Sequence, residues 1–114
     1  RATITVGPTD VLTTAHNRLR NAGFSQLPVM EEGRLVGVVT EDAIIQHVFG
    51  KPELMNAPVE QAMESAFIKL DRSASVHNLV AMLHVQPYAA IMDGEDFLGL
   101  ITRSDVLNYL RRQL

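Results

Sequence analysis

Four residues able to bind or polarise a ligand stand in a row where an apolar segment ends: Thr102, Arg103, Ser104 and Asp105, after Gly99-Leu100-Ile101. A helix beginning at Thr102 starts with unpaired N–H groups and a positive dipole end. Two chemistries fit this spacing. In one, Thr102 and Asp105 form a capping box, each side chain accepting a hydrogen bond from the other's backbone N–H. In the other, the helix start faces a ligand, so that Thr102 and free N–H groups take its polar part while the Asp105 carboxylate accepts from ribose hydroxyls. Arg103 is placed either to meet a phosphate or carboxylate of that ligand or to lie solvated on the helix.

The same stretch occurs earlier in the chain without its carboxylate. Leu35-Val36-Gly37-Val38-Val39-Thr40 returns as Phe97-Leu98-Gly99-Leu100-Ile101-Thr102, and reading back from the glycines pairs Met92 with Met30, Ile91 with Val29 and Ala90 with Pro28. Upstream, the second copy has a shorter loop, after which Leu83 meets Leu19, Val76 meets Leu12 and Ile68 meets Ile4. The first helix start reads Thr40-Glu41-Asp42-Ala43, which brings Asp42 one residue early and turns it about 100° around the helix. One working ribose site is expected, not two. A repeat of this size cannot bury its apolar face alone, so the copies are expected to pack about a pseudo-twofold axis and to leave ligand-binding clefts between them.

Each copy reads as β-α-β-β-α. Thr3 to Val6 alternates as a strand and stops at Gly7-Pro8, after which Thr9 or Asp10 is expected to cap a helix burying Leu12, Ala15 and Leu19. Ala22-Gly23 ends that helix. Gln26 to Met30 is a buried strand, and Glu31-Glu32-Gly33-Arg34 turns the chain into Leu35 to Val39. Thr40 caps a helix to Val48. Gly50 and Pro52 then break the pattern, with Pro58-Val59 opening a short helix to Met63. The second copy has a strand from Phe67 to Leu70, a helix from Ser75 to His84, a hairpin at Asp93 to Asp96 and a last helix from Thr102 to about Arg112. The boundaries read as residues 1–50 for the first repeat, 51–58 for a linker and 59–114 for the second.

Composition narrows the function. With 114 residues, 46% hydrophobic and a formal charge of -3, the chain suits one compact fold with no basic stripe for nucleic acid. No apolar run approaches the ~20 residues that span a bilayer, and the lack of cysteine removes disulfide and thiol chemistry and suits a cytoplasmic setting. The start at Arg1, inside a strand approach, reads as a piece of something longer. His16, His47, His77 and His84 lack partners at metal-ligand spacing, so no metal site is expected. Met63 and Met82 read as gap-filling core or interface residues. Glu31, Glu32, Asp93 and Asp96 are solvated turn residues. No nucleophile beside a base, phosphate cradle or cofactor lysine motif is present, so the chain is not expected to be an enzyme.

The strand-Gly-x-x-Thr-x-x-Asp-helix pattern at Gly99 to Asp105, repeated in part at Gly37 to Ala43, resembles a pair of CBS domains, the Bateman module. The segment Gly23-Phe24-Ser25-Gln26-Leu27-Pro28-Val29 and the ending Thr102-x-x-Asp105-x-Leu107-Asn108-Tyr109 resemble more narrowly the C-terminal regulatory region of cystathionine beta-synthases. The resemblance implies an α/β (α+β) tandem CBS pair. It implies that Asp105 holds a ribose, that Thr102 and Ser104 line its polar end, that Phe24, Ser25, Gln26, Leu27 and Pro28 surround an adenine, and that Thr3, Ile4 and Thr5 close the cleft. A degenerate second cleft would use Thr40, Tyr88, Ala89 and Ala90. By the same resemblance the effector is an adenosyl compound, S-adenosylmethionine first, acting on a catalytic domain of the parent chain that holds pyridoxal phosphate, with the modules forming a homodimer. Two other readings stay open: a module sensing AMP, ADP or ATP, and a ligand-free oligomerisation or autoinhibitory domain.

Overall fold

The structure is a computed structural model that describes residues 4–113. The chain divides into two compact units, Arg1–Ala66 and Phe67–Leu114. In the first, α1 (Leu12–Ala22) is followed by β1 (Gln26–Glu31), β2 (Arg34–Thr40), α2 (Glu41–Val48) and two short 3-10 turns, Pro52–Asn56 and Val59–Gln61. The second holds β3 (Lys69–Asp71), α3 (Val76–Leu83), β4 (Tyr88–Asp93), β5 (Asp96–Thr102) and α4 (Arg103–Arg111). This is a mixed α+β architecture built on two antiparallel hairpins, β1 with β2 and β4 with β5.

Helix α1 forms because its apolar residues recur on one face, and Leu12, Ala15 and Leu19 are all fully buried. Gly23 ends it in the left-handed region at φ 71, where the Gly23 and Phe24 N–H groups return to the carbonyls of Arg20 and Leu19. Its start departs from the sequence expectation. The N-cap is Val11, with no side-chain bond, because the Asp10 carboxylate instead accepts from the Gly7 N–H at 2.8 Å and closes the preceding loop.

The expected strand from Thr3 to Val6 also differs. Thr3 lies outside the described residues, and among the rest only Val6 bridges, parallel to Val29, through Val6 N–H to Pro28 O at 3.1 Å and Met30 N–H to Val6 O at 2.8 Å. The next bond of a parallel ladder would run from the N–H of residue 28 to the Ile4 carbonyl, and proline has no N–H to give. The second copy has Ala90 at this place, and its N–H reaches Ile68 O at 2.9 Å. There a regular parallel strand forms, although it spans Lys69–Asp71 rather than the expected Phe67 to Leu70.

Both hairpins turn tightly. Glu32 and Gly33 at φ 51 and 78 make the twist-matching two-residue loop of the first. Each hairpin carries a register irregularity at the same place, after Val29 opposite Gly37 and after Ile91 opposite Gly99. Gly37 has a packing reason to lack a side chain. A Cβ there would sit 2.5 Å from Met63 Sδ and 3.0 Å from the Glu64 carbonyl, because Glu64 pairs with Val38 through bonds of 2.7 and 2.9 Å.

Residues 52–66 thus belong physically to the first unit, although the sequence repeat starts its second copy at 59. The expected helix from Pro58 to Met63 is only a 3-10 turn, but Val59 is fully buried in the core with Leu12, Leu19, Leu27 and Ile44, and Met55, Ala62 and Met63 pack against it. Gly37→Ala is therefore expected to lower first-unit stability by about 1–3 kcal/mol, read as a lower urea midpoint with an unchanged slope.

In the second unit the turn from β3 to α3 is held by Asp71, whose carboxylate accepts from the Ser73 hydroxyl and, at 2.9 Å, from the Ser73 N–H. The side-chain bond from Ser73, then its backbone bond, holds the Asp71 carboxyl below the ordinary aspartate value. The folded state thus favours the ionised form, so this contribution is present above the ordinary aspartate pKa and disappears as pH falls through the lowered one. Carbon-13 NMR titration should find Asp71 titrating below a typical aspartate, and Ser73→Ala should move it back up.

Candidate functional site

Thr102 ends β5 and caps α4. Its hydroxyl accepts from the Asp105 N–H at 3.2 Å while Asp105 Oδ2 accepts from the Thr102 N–H at 2.9 Å, so the capping box is complete. The Thr102 hydroxyl also donates to Oδ2 at 3.1 Å. These described bonds of the carboxylate all use Oδ2 and none uses Oδ1. Asp105 and Ser104 are exposed on the first turn, where the helix dipole favours the negative charge. The cap engages the side chain through Oδ2 alone. Capping and ligand binding therefore do not compete for the same atom.

The first copy lacks that oxygen. Thr40 caps α2 by accepting from the Ala43 N–H at 3.0 Å, but Asp42 takes the Gln46 amide at 3.0 Å, four residues along the helix. Instead, the Glu41 N–H is bonded to the Ser25 carbonyl at 3.0 Å. This ties the entry to β1 to the start of α2. Gln26 stands opposite Thr40 in the hairpin, whereas the residue opposite Thr102 is Tyr88, only 1% exposed.

The predicted adenine-surrounding residues divide by burial. Phe24 is 47% exposed, Ser25 is exposed and Gln26 half-buried. Leu27 is fully buried in the core, and Pro28 is buried with its carbonyl held by Val6. Ile4 is 40% exposed and Thr5 half-buried. Of the residues assigned to the second cleft, Tyr88, Ala89 and Ala90 are all buried.

Arg103 is exposed and is anchored at one nitrogen. Its Nε donates to the Leu83 carbonyl at 2.5 Å, placing a cation at the C-terminal end of α3. A different arginine, not singled out in the sequence, positions the first unit's edge: Arg18 Nη1 donates to the Thr5 carbonyl at 2.7 Å and lies 3.8 Å from Asp10. Its only sequence signal was a cation one turn before the end of α1, which does not reveal a partner thirteen residues upstream. The histidines are separate: His84 Nδ1 contacts the Val80 carbonyl at 2.8 Å, and His47 lies 3.4 Å from Gln61.

The CBS domain family model matches residues 1–50 and 59–112. The chain belongs to the CBS domain family and carries a pair of these domains, which are commonly regulatory modules that bind adenosyl ligands. Among curated proteins it is similar to a cystathionine beta-synthase of Dictyostelium discoideum, 25% identical over 115 residues, covering 96% of this chain and 23% of that protein. The chain thus spans about a quarter of that relative's length. Among solved structures, a hypothetical conserved protein from Geobacillus kaustophilus superposes with TM-score 0.86 at 25% identity, covering 98% of this chain and 90% of that one. A CBS domain-containing protein of unknown function from Bacillus anthracis gives TM-score 0.86 at 23% identity, covering 98% and 86%. These tandem structures share the fold.

Removing the carboxylate tests the cap directly. Asp105→Ala should cost about 0.3–1.5 kcal/mol of second-unit stability, whereas Asp42→Ala, which removes an exposed bond to Gln46, should change the denaturation midpoint little.

Proposed function

We propose that this chain is a regulatory module that binds an adenosyl compound, with the ribose held at Asp105 and S-adenosylmethionine the first candidate. The observation that carries this reading is an exposed carboxylate whose capping-box bonds all use Oδ2, present in one copy and absent from the other. Two ribose hydroxyls donate to a carboxylate through charge-assisted bonds, which are stronger than neutral ones. Ser104 and Thr102 supply hydroxyls beside it on the same helix start. Likeness to the Dictyostelium cystathionine beta-synthase supports S-adenosylmethionine over nucleotides, and supports a parent enzyme whose separate catalytic domain would hold pyridoxal phosphate. Regulation would follow from differential affinity: a ligand that prefers one conformation of the parent shifts its population, and a coupling of ~1 to 3 kcal/mol changes activity several-fold or more.

Calorimetry with S-adenosylmethionine, AMP and ATP on the same protein tests the ligand. Saturable binding of S-adenosylmethionine is expected, with Asp105→Asn weakening it about tenfold or more, since hydrogen bonds to a charged group are worth roughly 1.5–3 kcal/mol. Asparagine keeps an acceptor for the Thr102 N–H, so the cap is retained while the charge is lost. Ala43→Asp should change binding less. Tighter binding of AMP or ATP would identify an energy sensor, and no binding of any adenosyl compound would leave an oligomerisation or inhibitory role.

A further inference from the structure

The two copies anchor their opening segment by different means. In the second unit the ladder is regular: the Ala90 N–H donates to the Ile68 carbonyl at 2.9 Å, and β3 pairs with β4 over Lys69–Asp71. In the first, Pro28 stands at the place of Ala90 and has no N–H for the Ile4 carbonyl. Among the described residues the ladder therefore holds this segment through Val6 alone, which donates to Pro28 O and accepts from the Met30 N–H. Backbone groups of successive strand residues point to opposite edges, so the Thr5 carbonyl is turned away from β1. There Arg18 meets it: Nη1 donates at 2.7 Å, a charge-assisted bond, and lies 3.8 Å from Asp10 Oδ2. Asp10 Oδ2 in turn accepts from the Gly7 N–H at 2.8 Å. One side chain of α1 thus closes a circuit around residues 5–10. The repeat puts Met82 at the place of Arg18 and Ala74 at that of Asp10, so the circuit belongs to the copy whose ladder is one bond short.

We infer that Arg18 is a positioning residue for ligand binding: through the Thr5 carbonyl it fixes residues 4–6 beside β1 and so sets the place of Ile4 and Thr5. This role rests on the adenosyl-binding reading, in which the family resemblance gives those two residues to the ligand. Val6 is buried and pinned on both of its backbone groups, whereas Ile4 is exposed and Thr5 half-buried. The freedom of the segment therefore lies at residues 4 and 5, where the ladder stops and where Arg18 acts. Arg18 itself is exposed, and the core contacts of α1 come from Leu12, Ala15 and Leu19. Its bond bears on where Ile4 and Thr5 stand more than on whether the unit folds, because a single exposed link adds little to a core that is already closed.

The test uses the whole chain with Arg18→Met, the residue of the second copy and a good helix former, and with Arg18→Lys, which keeps a cationic donor. In ligand-free protein, NMR hydrogen exchange at the Val6 and Met30 amides should quicken about tenfold in Arg18→Met while Val39 and Ile44 exchange as before. Calorimetry well below the melting temperature should find S-adenosylmethionine held about five- to tenfold more weakly by Arg18→Met, and within about threefold of the original by Arg18→Lys. A residue serving stability alone would shift melting and leave the affinity of the folded protein as it was, and that outcome overturns the inference while the adenosyl reading stands. Weaker binding with unchanged exchange at Val6 and Met30 would overturn it too, since Arg18 would then act on the ligand directly. If the original chain binds no adenosyl compound, the proposed function fails first and this role falls with it.

Discussion

Each hairpin ends in a threonine whose hydroxyl accepts the N–H of the third helical residue, Thr40 from Ala43 and Thr102 from Asp105. That bond lets the chain pass from strand to helix within one residue, because it satisfies a donor that the first turn would otherwise leave open. Both helix starts are therefore held at the rim of a hairpin, with N–H groups and dipole directed the same way relative to their own sheet. At the second junction the Asp105 carboxylate is bonded through one oxygen, Oδ2.

Duplication gave the two units one plan, and single residues have since separated them. Pro28 withholds the N–H that Ala90 supplies, so one unit has a lone bridge where the other has a parallel strand. Ala43 withholds the carboxylate that Asp105 supplies, so only one helix start has an oriented acceptor. Gln26 faces Thr40 where buried Tyr88 faces Thr102. The first unit gained a covered core, with Val59 sealed against Leu12, and the second kept open helix ends. A module with one tightly packed half and one half of incomplete cover is suited to respond to binding, since the elements that move are drawn from the less stable part.

The cystathionine beta-synthase likeness and the site chemistry bear on different questions. The family assignment follows from matched residues along nearly the whole chain and from the shared fold of tandem structures. The ligand follows only from side chains, because one fold serves many functions. In the second unit those side chains are few: one clamped carboxylate and two hydroxyls.

From the sequence alone the repeat, both hairpins, all four helices and the competing roles of Thr102 and Asp105 were legible, because periodicity, turn glycines and capping residues act within a few positions of one another. The helix start at Val11 was not, since Asp10 found a closer donor in Gly7 than any helical N–H. Nor was the loss of the first strand, which depends on proline standing across a ladder more than twenty residues away. Tertiary structure alone decided that Arg103 serves the end of α3, that Arg18 holds the Thr5 carbonyl, and that residues 52–66 seal the first unit. Such contacts form between segments brought together by core burial, and no local pattern encodes which distant carbonyl a side chain will meet.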